Sequence, residues 1–259
     1  MTATAAKETV LITGASAGIG RELARLFAAD GADLVLVARR RDRLDELSRE
    51  LSDSHGVGTT VIAQDLSTPD AVNALVAELD ATGSPIDVLV NNAGFGANGP
   101  FADLDLEMQS AMVRLNVTTL MELTGRLLPR LTKARGGILN VASTAGFQPG
   151  PRMGVYYATK AFVLSFSEAL HEETRGTGLT VTCLCPGPTR TEFLTAAGME
   201  EPLMFRIGAA SALSVAKAGH RGFRKGRAVV IPGFSNKLAM LLVRLTPRRF
   251  VRKIVKRLQ

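Results

Sequence analysis

Thr9-Val10-Leu11-Ile12-Thr13-Gly14-Ala15-Ser16-Ala17-Gly18-Ile19-Gly20 is the stretch that decides the fold of this 259-residue chain. Five β-prone residues read as a buried strand, and the segment Arg21–Asp30 beyond the glycines carries helical periodicity. Between them, glycine lets the backbone turn tightly and lets a pyrophosphate approach the helix N-terminus, whose free N–H groups and dipole favour anions. The spacing G-x-x-x-G-x-G differs from the G-x-G-x-x-G of most dinucleotide folds. Its position between strand and helix carries the reading.

Outward from this unit the alternation repeats. Apolar, β-rich runs occur at Asp33–Ala38, Thr60–Gln64, Ile86–Val90, Gly137–Ala142, Leu179–Leu184 and Ala228–Ile231. Helical stretches lie between them at Arg43–Ser52, Asp70–Ala81, Met108–Leu131 and Tyr156–Thr174. Such alternation implies an α/β fold, a mostly parallel sheet with helices on both faces. No internal repeat, low-complexity linker or second domain is apparent.

Composition agrees with one large α/β domain, since 46% of the residues are hydrophobic. No run reaches about 18 apolar residues, so no membrane span is expected. Met1–Glu8 lacks an apolar core of signal-peptide length. The two cysteines, Cys183 and Cys185, alternate along a buried strand and read as packing, which suits a cytoplasmic, reduced protein. Charge is divided unevenly. Residues 1–201 hold 17 Lys and Arg against 24 Asp and Glu, whereas residues 202–259 hold 14 Lys and Arg and no acid. A basic end of this kind suggests an anionic partner: a membrane surface, a phosphorylated ligand or nucleic acid.

Several strand ends carry polar or special residues. The second strand ends at Ala38 and runs into Arg39-Arg40-Arg41, where enzymes that select NAD place an acid for the ribose hydroxyls. Guanidinium groups there suit a 2′-phosphate, Arg39 first and Arg40 second. Asp65-Leu66 follows the third strand; the carboxylate either accepts from an adenine amino group or caps a helix near Ser67. Asn91-Asn92-Ala93-Gly94 closes the fourth strand, at the edge where open α/β sheets bind ligands. Asn116 sits inside a helical pattern, an odd place for a buried amide, and either bridges a kink through water or bonds between helices. Ser143 ends the fifth strand. Pro186-Gly187-Pro188-Thr189-Arg190-Thr191 follows the sixth and leads to an apolar segment from Phe193 to Phe205 with Leu194, Met199, Leu203 and Met204.

Thirteen residues beyond Ser143 stands Tyr156-Tyr157-Ala158-Thr159-Lys160. On a helix Tyr156 and Lys160 share a face. An ammonium near a phenolate at about 5 Å attracts it by about 3 kcal/mol, which would lower the phenol pKa from about 10 to roughly 8. That is a group poised for acid–base work.

Taken together, the glycine motif, the Asn-Asn-Ala-Gly turn, the set Asn116, Ser143, Tyr156 and Lys160, and the Pro-Gly turn resemble the short-chain dehydrogenase/reductase family over nearly all of residues 9–233. The resemblance implies a single Rossmann-type, doubly wound sheet of seven parallel strands, here spanning residues 1–234, with residues 235–259 as a basic helical extension. It implies that Tyr156 is the catalytic acid/base, that Ser143 bonds the substrate carbonyl, that Lys160 lowers the tyrosine pKa and holds the nicotinamide ribose, and that Asn116 holds a water in a proton relay. Cofactor contacts fall on Gly14, Ser16, Gly18, Ile19 and Gly20; on Arg39, Arg40, Asp65 and Leu66; on Asn92, Ala93 and Gly94; on Tyr156 and Lys160; and on Pro186, Gly187, Thr189 and Thr191. Tyr157, about 100° around the helix, reads as a packing or pocket residue.

Ala38 replaces the family's NAD-selecting acid, so NADP(H) is expected over NAD(H). Ala17 stands where some NADP-dependent members carry a basic residue, which leaves that preference to Arg39 and Arg40. The expected reaction interconverts a carbonyl and a secondary alcohol on an apolar substrate, ketoacyl, steroid-like or lipid-derived, with Phe95, Phe147 and Met153 adding to the apolar loop. The other reading is a protein that senses NADP(H) without turnover, for which a poised phenol has no use. Family members pair through the helices at Met108–Leu131 and Tyr156–Thr174, which implies a homodimer or homotetramer. In the tail, Leu238, Leu241, Leu242 and Leu245 recur at helical spacing, Pro247 interrupts, and Phe250, Val251, Ile254, Val255 and Leu258 resume. Basic residues cover the rest, so the tail either packs on the body or a second subunit, or lies at an anionic bilayer. No tyrosine or tryptophan in it would stack on bases, and nucleic acid is not expected.

Overall fold

The computed structural model describes residues 7–193 and 208–258. Strands β1 (Thr9–Thr13), β2 (Asp33–Ala38), β3 (Thr59–Ala63), β4 (Val88–Asn91), β5 (Gly137–Val141), β6 (Thr180–Leu184) and β9 (Val229–Val230) form one seven-stranded sheet in the order β3-β2-β1-β4-β5-β6-β9. Every pairing is parallel. Two short strands, β7 (Thr189–Arg190) and β8 (Ala210–Ser211), pair separately.

Helices α1 (Gly18–Ala29), α2 (Arg41–His55) and α7 (Ala212–Arg224) cover one face; α3 (Ala71–Thr82), α5 (Leu120–Ala134) and α6 (Gly154–Glu173) cover the other. Alternation along the strands builds both cores. In β1, Val10 and Ile12 join Phe27, Leu44 and Phe223 on one side, while Leu11 joins Leu75, Leu127 and Leu131 on the other. Cys183 and Cys185 are free and buried, with sulfurs 3.7 Å apart, in the packing role expected of them.

Two expectations are corrected here. The helix expected over Met108–Leu131 is not continuous: α4 (Leu106–Val113) and α5 are joined by a π-helical turn at Arg114–Thr119. One residue is in effect inserted, which turns Asn116 inward, and such turns recur at functional sites. Ser67 begins no helix. Its backbone N–H and hydroxyl donate to Asp65, whereas α3 starts at Ala71 after a left-handed Asp70.

Beyond β9 the chain forms α8 (Phe234–Leu245) and α9 (Arg248–Leu258), joined through Pro247. Among the described residues no helix is long and apolar enough to cross a membrane. The apolar segment Leu194–Phe205 lies outside the described residues.

Candidate active site

The strand order reverses between β1 and β4, and there the carboxyl ends of neighbouring strands diverge to leave a crevice. Thr13 and Asn92 fasten its base. The Thr13 hydroxyl donates to the Val90 carbonyl (3.2 Å) and accepts from the N–H groups of Asn92 (3.0 Å) and Ala93 (3.1 Å). The Asn92 amide donates to the carbonyls of Thr13 (2.9 Å) and Gly14 (3.1 Å). Two glycines make room for this lock. Gly14 has φ +68°, and a Cβ on Gly20 would lie 2.4 Å from both Asn92 Nδ2 and the Gly14 carbonyl oxygen. Helix α1 starts after Ala17 with no capping side chain and no acid in its first turn, so its leading N–H groups remain for an anion.

From this turn a cleft of about 330 Å³ runs to Phe193. Gly14, Ser16, Gly18, Ile19, Arg39, Asn92, Ala93, Gly94, Ser143, Tyr156, Lys160, Pro186, Gly187, Thr189 and Thr191 all line it. Five expected residues do not. Gly20 lies beneath, against Asn92. Leu66 is buried in the core under α3, and its carbonyl accepts from Thr119. Asp65 stands 3.9 Å from Arg39 with its carboxylate bonded to Ser67; burial alone would raise its pKa, but the Ser67 hydrogen bonds and the Arg39 charge hold it below the usual range. Arg40 reaches across the mouth to Glu192 (2.8 Å). Asn116 sits behind the far end.

At that far end three elements converge. Pairing between β5 and β6 continues past the strands through Ala142 N–H to Leu184 and Thr144 N–H to Pro186, both 2.8 Å, which fixes Ser143 beside the Pro-Gly turn. Tyr156 and Lys160 occupy the first two turns of α6. Ser143 stands beside the Tyr156 hydroxyl; its own Oγ donates to the Pro186 carbonyl (3.4 Å) and accepts from the Ala145 N–H (3.1 Å). Lys160 is buried, its Nζ donating to the Val141 carbonyl (2.9 Å) and lying 5.8 Å from the centre of the Tyr156 ring. Asn116 commits its amide to protein groups: Nδ2 donates to Phe95 O (2.9 Å) and Thr159 Oγ1 (3.1 Å), and Oδ1 accepts from Phe95 N–H (3.2 Å). Of the two readings the interhelical one holds: the bond to Thr159 joins the π turn to α6, and those to Phe95 tie it to the loop after β4. A Cβ on Gly94 would meet Asn116 Oδ1 at 2.9 Å and Lys160 Nζ at 3.4 Å, so this glycine lets the lysine and the asparagine approach the same turn.

The electrostatics reverse one expectation. Burial pushes the Tyr156 phenol well above its ordinary value; the Ser143 hydroxyl opposes this and Tyr157 adds to it. Burial also lowers Lys160 to about 8, against the influence of Cys183 and Cys185. The ammonium does not draw the phenol down as its spacing suggested, because removing both groups from water costs each its charged form. Tyr156 is only half-buried, however, and water on the cleft side of its ring offsets part of the upward push.

Thr13 and Glu192 carry functions the sequence did not disclose. A hydroxyl residue at the end of β1, opposite an asparagine turn, is a signal that could have found Thr13. Nothing local marks Glu192 as the partner of an arginine 152 positions away.

The donors at the start of α1, the exposed cation at Arg39 and the buried ammonium of Lys160 together suit a phosphate-bearing dinucleotide. Comparison with known proteins agrees. A model of the short chain dehydrogenase family matches residues 8–202. Sulfoacetaldehyde reductase 2 of Chromohalobacter salexigens is 42% identical over 189 residues, 72% of this chain and 74% of that protein. A short-chain dehydrogenase from Sphingobium yanoikuyae in complex with NADPH superposes with a TM-score of 0.82 at 36% identity, over 92% of this chain and 94% of that one. The structure of a 7β-hydroxysteroid dehydrogenase superposes with a TM-score of 0.86 at 27% identity, over 96% of each chain. This chain therefore belongs to the short-chain dehydrogenase/reductase family, the nicotinamide-dependent oxidoreductases that work between alcohols and carbonyls.

Proposed function

We propose that this enzyme interconverts a carbonyl and a secondary alcohol on an apolar substrate, using NADP(H) in preference to NAD(H). One observation carries the reading: Ser143, Tyr156 and the buried Lys160 close one end of a cleft that opens at an uncapped helix start. The bound dinucleotide supplies or accepts the hydride. Every other part falls to the chain. The first turn of α1 holds the pyrophosphate, Lys160 the nicotinamide ribose, and Arg39 the 2′-phosphate. Ser143 donates to the substrate carbonyl and steadies the charge that develops there. Tyr156 delivers its proton to that oxygen in reduction and withdraws it in oxidation. Asn116 holds a water that links Lys160 to solvent, from which the proton given up is replaced.

A phenol with a raised pKa is protonated at neutral pH and so carries the proton that reduction needs. Lys160, lowered to about 8, keeps its charge below that pH and loses it above. The kcat/KM for reduction should therefore be level at lower pH and fall as pH rises through about 8. A profile level to about pH 10, the ordinary lysine range, would contradict this account of the ammonium.

Substrate class follows from the walls. Phe95, Met153, Tyr157 and Phe193 line the cleft, with the Phe193 ring centre 5.2 Å from that of Tyr156. These surfaces resemble a seat for a steroid-like or acyl ketone more than one for a small anionic aldehyde. Following NADPH oxidation across aliphatic ketones, β-ketoacyl thioesters, steroids and sulfoacetaldehyde tests this. Bulky apolar ketones should exceed sulfoacetaldehyde in kcat/KM by at least about tenfold; the reverse order would overturn the substrate class.

We further place the enzyme in the cytoplasm as a homodimer or homotetramer, peripheral at the inner face of a membrane. Exposed Leu106, Val113 and Met121 on α4 and α5 support pairing through those helices. The basic extension 235–259 supports the membrane placement.

A further inference from the structure

We propose that the cavity between the C-terminal helices and the catalytic body holds the headgroup of an anionic phospholipid, while the outer face of α8 enters the acyl layer. The proposal rests on the peripheral placement above and gives it a site.

Helix α9 is divided between two surroundings. Val251 and Val255 are buried against Ala145, Met153 and Tyr157, which ties the tail to the body. Phe250 and Ile254, on a neighbouring face, are exposed. Between the tail and α6 this leaves a cavity of about 420 Å³ lined by Phe147, Gln148, Tyr157, Arg244, Thr246 and Arg248. Arg244 lies 5.7 Å over the Phe147 ring. Among the described residues no carboxylate pairs with Arg244 or Arg248, and residues 202–259 contain none to offer. Elsewhere the guanidiniums of Arg25 and Arg224 are matched by Glu50, Glu8 and Asp30. Two unmatched guanidiniums at one cavity, with the Gln148 amide beside them, form the donor set of a phosphate site; the Thr246 hydroxyl is already given to the Leu242 carbonyl (2.8 Å).

The surroundings say where that phosphate comes from. Phe234, Leu238, Leu241, Leu242 and Leu245 share the outer face of α8 and are all exposed, Leu245 by 74%. An apolar stripe next to a cationic cavity matches the boundary of an anionic bilayer. A second copy of this chain is a poor occupant. A symmetric pairing through this face would set Arg244, Arg248, Arg249 and Lys253 of one copy against the same cations of the other, with no acid between them. The docking is read from the tail and stands whichever carbonyl is reduced.

Co-sedimentation of the full chain with vesicles tests it. Vesicles of phosphatidylcholine and vesicles with about a third phosphatidylglycerol are compared for three proteins: unaltered, Arg244→Gln/Arg248→Gln, and Lys253→Gln/Arg257→Gln, which loses equal charge away from the cavity. The cavity pair should weaken binding to anionic vesicles at least about tenfold and the distal pair less than about threefold. Equal losses would remove the headgroup site and leave the peripheral placement standing. No preference of the unaltered protein for anionic vesicles would overturn both. So would a dimer that Leu241→Asp/Leu245→Asp converts to monomer, since that face would then join two copies. A second measurement needs no variant: titration calorimetry with short-chain phosphatidylglycerol below its micelle concentration should show saturable binding that inorganic phosphate does not match. Absence of saturation, or equal binding of inorganic phosphate, would overturn the lipid site.

Discussion

Tyr156→Phe should lower turnover by at least about 10²-fold while leaving NADPH binding intact. The substitution keeps the ring that packs beside Phe193 and removes only the hydroxyl beside Ser143. Among the described residues no other side chain at that end of the cleft can replace it as the proton donor. Ser143 is a far weaker acid, and Lys160 points its Nζ at the Val141 carbonyl behind the tyrosine. Tyr157 lies about 100° around the helix and turns toward Val251 and Val255 instead. The Tyr157→Phe enzyme should therefore retain most of its turnover. Binding is followed by the fluorescence of bound NADPH and turnover by its oxidation. An active Tyr156→Phe beside an inactive Tyr157→Phe would reverse the assignment of the two tyrosines.

The placement of Tyr156 and Lys160 at one end of the cleft was legible in the sequence, because their spacing fixes which residues share a helical face. The sheet was legible for a similar reason. Buried parallel strands are uninterrupted apolar runs, and β1, β2 and β5 begin where their runs begin. Legibility ended where a local pattern met a distant partner. At Asn116 the misplaced amide pointed to a kink or an interhelical bond, but the π form of the turn was not legible, since both flanking segments keep a helical period. Leu66 was grouped with Asp65 by adjacency, yet alternating side chains send the leucine into the core under α3. The direction of the tyrosine shift was missed because spacing reports the neighbouring charge and not the loss of water around both groups. In the tail the sequence showed one apolar face, and the body divides it: Val251 and Val255 inward, Phe250 and Ile254 outward.

Arg39→Ala should reduce the preference for NADPH over NADH by roughly ten- to hundredfold, a charge-assisted contact of about 1.5–3 kcal/mol. The argument begins with Ala38, which leaves the end of β2 without the acid that a ribose hydroxyl would need. Arg39 then lines the cleft with its guanidinium little engaged, while Arg40 is held across the mouth by Glu192 and Ser16, which ranks the two residues. The guanidinium of Arg39 is 75% exposed, so solvent screening places the effect toward the lower end of that range. Asp65, at 3.9 Å, is the counterweight. Its carboxylate holds the arginine near the cleft in the absence of phosphate and repels the phosphate once it arrives. Asp65→Asn should therefore raise the NADPH preference, and Arg40→Ala should change it less than about threefold. The measurement is kcat/KM for both cofactors in all four proteins. Equal values for NADPH and NADH in the unaltered enzyme would remove the selective role of Arg39. A larger loss in Arg40→Ala than in Arg39→Ala would mean that the Glu192 pair opens when cofactor binds and that Arg40 takes the phosphate.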